Sequence, residues 1–156
     1  MGRLYSVSVT GVAVSAAQDL WEILAASGKP FYLHELTIGQ SSDYGDAAAE
    51  GLGIVIKRAT GAYTTGSGGT TPTPAKHLTN DAAAGTVKAN NTTQAVAGSG
   101  ALTTIRSETF NVQAGYQYLP LPEDRLFFLP TEALVVSITV PADAVTLSQT
   151  AVIEEM

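Results

Sequence analysis

The chain has 156 residues, 45% of them hydrophobic and 14% charged, with 8 Lys and Arg against 14 Asp and Glu for a net charge of −6. A chain of this length fits one domain that buries roughly 68–70% of its unfolded surface, and its charge content lies below the roughly 25% of an ordinary soluble domain. Scattered cations, with Lys57-Arg58 the only adjacent pair, exclude a phosphate-binding patch and argue against both nucleic acid and an anionic membrane surface.

The polar balance comes from Ser, Thr, Asn, Gln and Gly, a neutral hydrogen-bonding surface suited to packing against other proteins. The chain has no cysteine, which removes disulfides and thiolate metal sites. Met1 to Tyr5 lacks the apolar core of a signal peptide, and no apolar run reaches the roughly 20 residues of a bilayer span. The expectation is a soluble chain forming one domain over residues 1–156.

Leu4 to Val14 reads as a strand. Tyr5, Val7 and Val9 alternate with Ser6, Ser8 and Thr10, and after Gly11 the apolar set becomes Val12 and Val14. A phase flip at a glycine predicts a β-bulge. Ala16 to Ala26 fits two periods: Leu20, Ile23 and Leu24 make a helical stripe, while Trp21, Ile23 and Ala25 make a strand face. Its neighbours are strands, which favours a strand here too. Gly28-Lys29-Pro30 turns the chain into a third strand, Phe31 to Gly39. A polar loop, Gln40 to Gly51, leads to a fourth, Leu52 to Thr60, with Lys57 and Arg58 marking its exit toward solvent.

Gly61 to Pro74 has no apolar period and no evident reason to pack on its own chain. Asp81 to Gly100 is similar, with one short candidate strand at Thr86 to Ala89. Periodicity returns in Leu102 to Phe110, with Arg106 and Glu108 at alternate positions, and in Gln117 to Leu119, the turn Pro120-Leu121-Pro122, Leu126 to Leu129, Ala133 to Val140 and Val145 to Ile153. Eight to ten short strands separated by turns predict an all-β fold, a two-sheet β-sandwich of jelly-roll type with long polar loops. The alternating sets predict a core of Val7, Val9, Leu36, Ile38, Ile54, Ile56, Leu134, Val136, Ile138 and Leu147.

No catalytic arrangement stands out. His34 falls in a predicted strand and His77 in a loop. Neither Gly66-Ser67-Gly68 nor Gly98-Ser99-Gly100 fits the nucleophile elbow of serine hydrolases. Asp43, Asp46 and Glu50 share one loop and are hard-cation ligand types, but their spacing departs from known calcium loops, so a solvated acidic loop is the simpler reading and no metal or cofactor is assigned. Glu123 and Asp124 are adjacent in a turn and do not flank a bond as a glycosidase pair does. Asn91-Thr92-Thr93 matches a glycan acceptor in a chain without a signal peptide. Tyr116, Tyr118, Phe127 and Phe128 stack on sugars or fill the core, and aromatics in strands favour the core.

Taken together, Gly39 to Ala47, Gly66 to Pro74, Asn90 to Thr93 and Phe110 to Pro120 resemble small jelly-roll structural proteins of tailed bacteriophages, most closely the decoration or cement proteins outside capsids. The resemblance implies a β-sandwich made in the host cytoplasm and carried on the outer capsid surface, a homo-oligomer (a trimer), and a major capsid protein as partner. It fits a chain without an enzymatic role, whose weak contacts are multiplied across a shell. Two alternatives are another virion component, such as a head-tail adaptor or tail protein, and a soluble carbohydrate-binding module. On this reading Gly61 to Pro74 is an extended arm, ordered only against a neighbouring chain, with Tyr63, Thr70, Thr71, Pro72, Thr73 and Pro74 as its interface residues. Its two prolines straighten Thr71 and Thr73 in advance.

Overall fold

A computed structural model describes residues 2–42, 44 and 50–156. Eleven strands carry the fold among the described residues: β1 (Arg3–Val14), β2 (Gln18–Leu24), β3 (Phe31–Gln40), β4 (Gly51–Thr60), β5 (Ala75–Lys76), β6 (Thr86–Asn91), β7 (Ala101–Asn111), β8 (Tyr116–Tyr118), β9 (Leu126–Phe128), β10 (Ala133–Ile138) and β11 (Val145–Glu155). Among the described residues the single helical element is a 3₁₀ turn at Pro122–Asp124. Among the described residues no helix is long and apolar enough to cross a membrane.

The pairing is nested. β1 pairs with β11, β2 with β10, β3 with both β8 and β9, and β4 with β7, all antiparallel. The chain is thus one long ribbon that doubles back between β4 and β7 and then winds up, bringing β11 beside β3 and β10 beside β4. Winding a ribbon this way gives a jelly roll. The first sheet runs β5-β1-β11-β3-β8, with β9 also on β3, and the second runs β6-β2-β10-β4-β7. The expected all-β, two-sheet architecture is therefore the observed one. The long connection from β4 to β7 adds a short outer strand to each sheet: β5 beside β1 and β6 beside β2.

Between the sheets lies one apolar core that includes Trp21, Tyr5, Phe31, Phe128 and Leu52. Nine of the ten expected core residues are buried there, and Val9 is only partly buried. Val9 is the last residue paired before the register shift in β1. Gly11 takes the positive φ of 69° that such a bulge needs, as the phase flip predicted.

Three further bulges are not marked by glycine. β10 steps from Val136 to Ser137 while β2 steps from Trp21 to Asp19, leaving Leu20 as the extra residue. In β3 His34 is passed over, and in β7 Ile105. The Leu20 bulge accounts for the mixed period of Ala16 to Ala26, because one inserted residue turns a two-residue repeat into a three-residue step. The Leu20 carbonyl accepts a hydrogen bond from Gln149 Nε2 at 3.0 Å, inside the core.

Two expectations need correction. β10 ends at Ile138, and Val140 is exposed. Lys57 and Arg58 do not lead out to solvent: Lys57 Nζ donates to Ser137 Oγ at 3.0 Å, and Arg58 Nη2 donates to the Phe127 carbonyl at 2.7 Å. Arg58 also lies over the Phe128 ring, 5.2 Å from its centre. The guanidinium satisfies a carbonyl of β9 while lying against the ring of the next residue.

Candidate interaction surface

All six residues of β10 are buried, on both faces of the sheet. The outer face is covered by the segments 61–70 and 92–100. A second, small apolar cluster of Ala59, Ala95, Ala133 and Val135 sits beneath them, with Tyr63 and Leu102 packed against it.

The cover is pinned by two buried carboxylates of β2. Glu22 Oε1 accepts from Tyr63 Oη at 2.9 Å and from the Thr65 hydroxyl. Its Oε2 accepts from Gly66 N at 3.0 Å and Asn91 Nδ2 at 3.1 Å. Asp19 accepts from Ala95 N and Ser137 Oγ, each at 2.6 Å, and from Gln94 Nε2 at 3.3 Å. Burial raises the Asp19 carboxyl above its usual range, against the lowering effect of these hydrogen bonds and Lys57. Burial, then the bond to Glu22, raises the Tyr63 phenol, which therefore stays a donor. Residues 19 and 22 have opposite parity in a regular strand. The Leu20 bulge between them lets both reach the same cover.

The first covering segment is also tied to the second and to β6. Thr64 with Val96, Ser67 with Thr93 and Thr70 with Ala89 exchange reciprocal backbone hydrogen bonds of 2.8–3.0 Å. Lys88 Nζ adds bonds to Thr65 Oγ1 at 2.6 Å and the Gly66 carbonyl at 3.2 Å. The glycines supply clearance: a Cβ on Gly69 would lie 2.1 Å from the Ala89 carbonyl oxygen, and one on Gly66 2.8 Å from that of Thr93. The expectation that Gly61 to Pro74 has nothing to pack on in its own chain is overturned for residues 63–70. Of the backbone groups thought free, those of Thr64, Ser67 and Thr70 pair with Val96, Thr93 and Ala89, and Gly66 N pairs with Glu22.

The expected interface residues divide accordingly. Tyr63 is half-buried and turned onto Glu22. Thr70 is tied by its backbone, and the side chains of Thr70, Thr71 and Thr73 are exposed, with Pro72 and Pro74 half-buried between them. Beyond Pro74 the chain crosses to the first sheet, where Ala75–Lys76 pairs with Tyr5 and Ser6. Residues 81–85 are fastened there too: Tyr5 Oη donates to the Ala82 carbonyl at 2.9 Å, and Gly85 N to Glu155 Oε1 at 2.7 Å.

The remaining sequence candidates fall elsewhere. His34 Nε2 pairs with Glu154 Oε2 at 2.7 Å, and His77 Nε2 lies 2.6 Å from Ser6 Oγ. Asp43 and Asp46 lie outside the described residues, and Glu50 Oε1 accepts from Ala142 N. Among the described residues no three His, Cys, Asp or Glu side chains come together as a metal set. Asn91 of the glycan-acceptor match is buried with its amide on Glu22, so a glycan there is incompatible with the fold. Three aromatic candidates face the core: Phe128 stacks on Phe31 at 4.9 Å, Tyr116 meets the Phe110 ring at a tilt at 5.6 Å, and Tyr118 is buried. Phe127 alternates with them and lies half-buried on the outer side of the first sheet, tilted against Tyr32 at 4.7 Å.

At the side of the sandwich where β7 faces β8 and β9, a groove of about 580 Å³ is lined by Ile105, Arg106, Glu108, Tyr118, Leu119 and Asp124, among others. Arg106 lies 5.1 Å from the Tyr118 ring centre and pairs with Glu108, Nη2 to Oε1, at 2.5 Å. Glu108 Oε2 accepts from Tyr116 Oη at 2.9 Å. The Arg106 hydrogen bond lowers the Glu108 carboxyl below its usual range. Sequence periodicity placed these charges on alternate positions but did not show that they face the gap between the sheets.

No family model matches the chain, and no curated protein matches it. Among solved structures, a maize chlorotic mottle virus particle aligns at a TM-score of 0.29 and 12% identity, over 99% of this chain and 94% of that one. Infectious bursal virus T=1 particles align at 0.19 and 14% identity, and the VP2 subviral particle of infectious bursal disease virus at 0.15 and 14%. This chain spans about two fifths of the latter two, 40% and 41%. Likeness at this level carries neither topology nor activity across, and the jelly roll rests on the strand pairing itself.

Proposed function

We propose that the chain is a structural component of a virion, a non-catalytic decoration or cement protein that binds the outer surface of a capsid shell and stabilises it. The reading is supported by the longest connection of the jelly roll. Its first half is pinned flat on the second sheet by Glu22, so Thr70, Thr71 and Thr73 stand exposed on a rigid base. A preordered, uncharged, hydrogen-bonding rim loses little entropy on docking, and repetition over a shell multiplies a weak contact. The partner in this reading is the major capsid protein, met through Thr70 to Pro74.

The test is the copy number of the protein in purified virions, by quantitative mass spectrometry against the shell subunit. Decoration predicts a copy number in simple proportion to the shell subunits. A few copies per particle would make the chain a head-tail or tail component, and absence from virions would overturn the reading. Paired substitution of Thr71→Glu and Thr73→Glu should leave the melting temperature unchanged and lower shell occupancy. Unchanged occupancy would move the contact away from this rim.

A further inference from the structure

Among the described residues β7 is paired on one side only, by β4, and its other edge is open along 11 residues. Strands average about 5–6 residues, and an unpaired edge presents alternate N–H and C=O groups to any strand that approaches. β7 contains no lysine or proline, the residues that most simply blunt an edge, but it carries the bulge at Ile105, so a second strand keeps the pleat beyond that point only by passing over Ile105 as β4 does. Its two charges, Arg106 and Glu108, stand opposite Ile56 and Ile54 of β4, on the inter-sheet side. An inward charge ordinarily repels an incoming strand because pairing would bury it alone.

We propose that β7 pairs with β7 of a second copy, antiparallel, about a two-fold axis through Ser107. In this register Arg106 stands opposite the partner's Glu108, and Glu108 opposite the partner's Arg106. Each inward charge thus meets its opposite, and Tyr116 remains on Glu108. The alternatives are disfavoured. Moving the axis onto Arg106 sets two guanidiniums opposite each other, and moving it onto Glu108 sets two carboxylates opposite each other, arrangements that destabilise cross-strand pairs. A slip of one residue sets inward side chains opposite outward ones, against the pleat. Of the registers that bring these charges together, the pair therefore selects the self-complementary one centred on Ser107, as an isologous contact requires. The two second sheets then form one continuous sheet, and Leu119 and Leu121, 67% and 68% exposed beside the groove, flank the new contact. The pairing does not depend on a virion role. It is two-fold, and so gives a dimer or a link between larger rings.

The test is mass in solution across a concentration series, by sedimentation velocity. The wild type should shift from the 16.1 kDa chain to twice that mass. Arg106→Glu and Glu108→Arg should each weaken self-association by about tenfold or more. A mixture of the two should recover it, because every facing pair is then opposite in sign. A melting curve on each variant checks that it folds. For the wild type alone, hydrogen exchange of β7 amides should slow at dimer-forming concentration. A wild type that stays monomeric overturns the proposal. So does an oligomer that neither variant weakens, or a mixture that fails to associate.

Discussion

The two outer faces of this sandwich are built from similar residue types and end up in opposite states. On the first sheet, Ser6, Ser8, Thr37, Thr146, Ser148 and Thr150 stand half-buried or exposed, with no segment laid over them among the described residues. On the second, Asp19, Glu22, Ser137 and Asn91 are buried beneath Gly61 to Thr70 and Thr92 to Gly100. What separates them is where the carboxylates find their donors: Glu35 and Glu154 of the first sheet bond to Gln117 and His34 within the same sheet. Hydroxyls on the first sheet bond sideways to one another, as Ser8 and Thr150 do at 2.8 Å. Carboxylates on the second take donors from a segment over 40 residues away. A polar loop with little apolar content can be held in place this way, because charge-assisted hydrogen bonds are roughly twice as strong as neutral ones.

The largest expected effect lies beneath both faces. Ile138 is buried between the sheets, and Ile138→Ala should cost about 2–5 kcal/mol, read as a lowered midpoint in denaturant unfolding. The covered face should lose less, and lose it locally. Glu22→Ala leaves Gly66 N and Asn91 Nδ2 without their acceptor, a cost of about 2–3 kcal/mol once the released segment takes up water. Amides of Thr64, Ser67 and Thr70 should then exchange faster while those of β11 do not. Glu22→Gln, which keeps one acceptor oxygen, should restore most of the protection. Equal acceleration throughout the molecule would mean that the cover and the sandwich unfold as one unit.

Asp19 gives the comparison a pH dependence. Burial raises its carboxyl in the folded chain from the ordinary 3.8. A raised value means that the folded state binds the proton more tightly than the unfolded state. Its stabilising contribution is therefore fully present below the unfolded value and is lost as pH rises through the folded one. Asp19→Asn removes this titration. The stability of the wild type relative to Asp19→Asn should fall as pH is raised from about 4 and then level off. A difference that grows with pH would show that the hydrogen bonds from Ala95, Ser137 and Gln94 outweigh burial.

How much of this was legible in the sequence depended on distance along the chain. Period-two patterns fixed the strands that share the core, and the glycine at position 11 marked its own bulge. The Leu20 bulge left a mixed period that read equally as helix, since a single extra residue in a strand imitates a helical step. The pins were invisible for another reason. Glu22 and its partners Tyr63, Gly66 and Asn91 are separated by 41 to 69 positions, and nothing local marks a carboxylate inside a strand as a clasp. Gly66, Gly68 and Gly69 have the composition of a flexible linker, yet Gly66 and Gly69 serve close backbone approach. Composition alone does not separate these two uses of glycine.

The smallest expected effect is on the bare face. Ser8 and Thr150 stand directly opposite across β1 and β11, and their hydroxyls bond to each other where water also reaches them. Breaking this bond exchanges it for bonds to water and leaves no buried group unsatisfied. Ser8→Ala should therefore change stability by less than about 0.5 kcal/mol, and the double change with Thr150→Ala should be close to the sum of the singles, within about 0.3–0.5 kcal/mol. A larger effect, with strong coupling between the two positions, would show that water is kept from this pair in solution. The first sheet would then be covered like the second, and the most direct cover is another protein chain. Repeating the Ser8→Ala measurement at rising protein concentration separates the cases: a cover supplied by a second copy makes the effect grow with concentration, whereas a bare face leaves it constant.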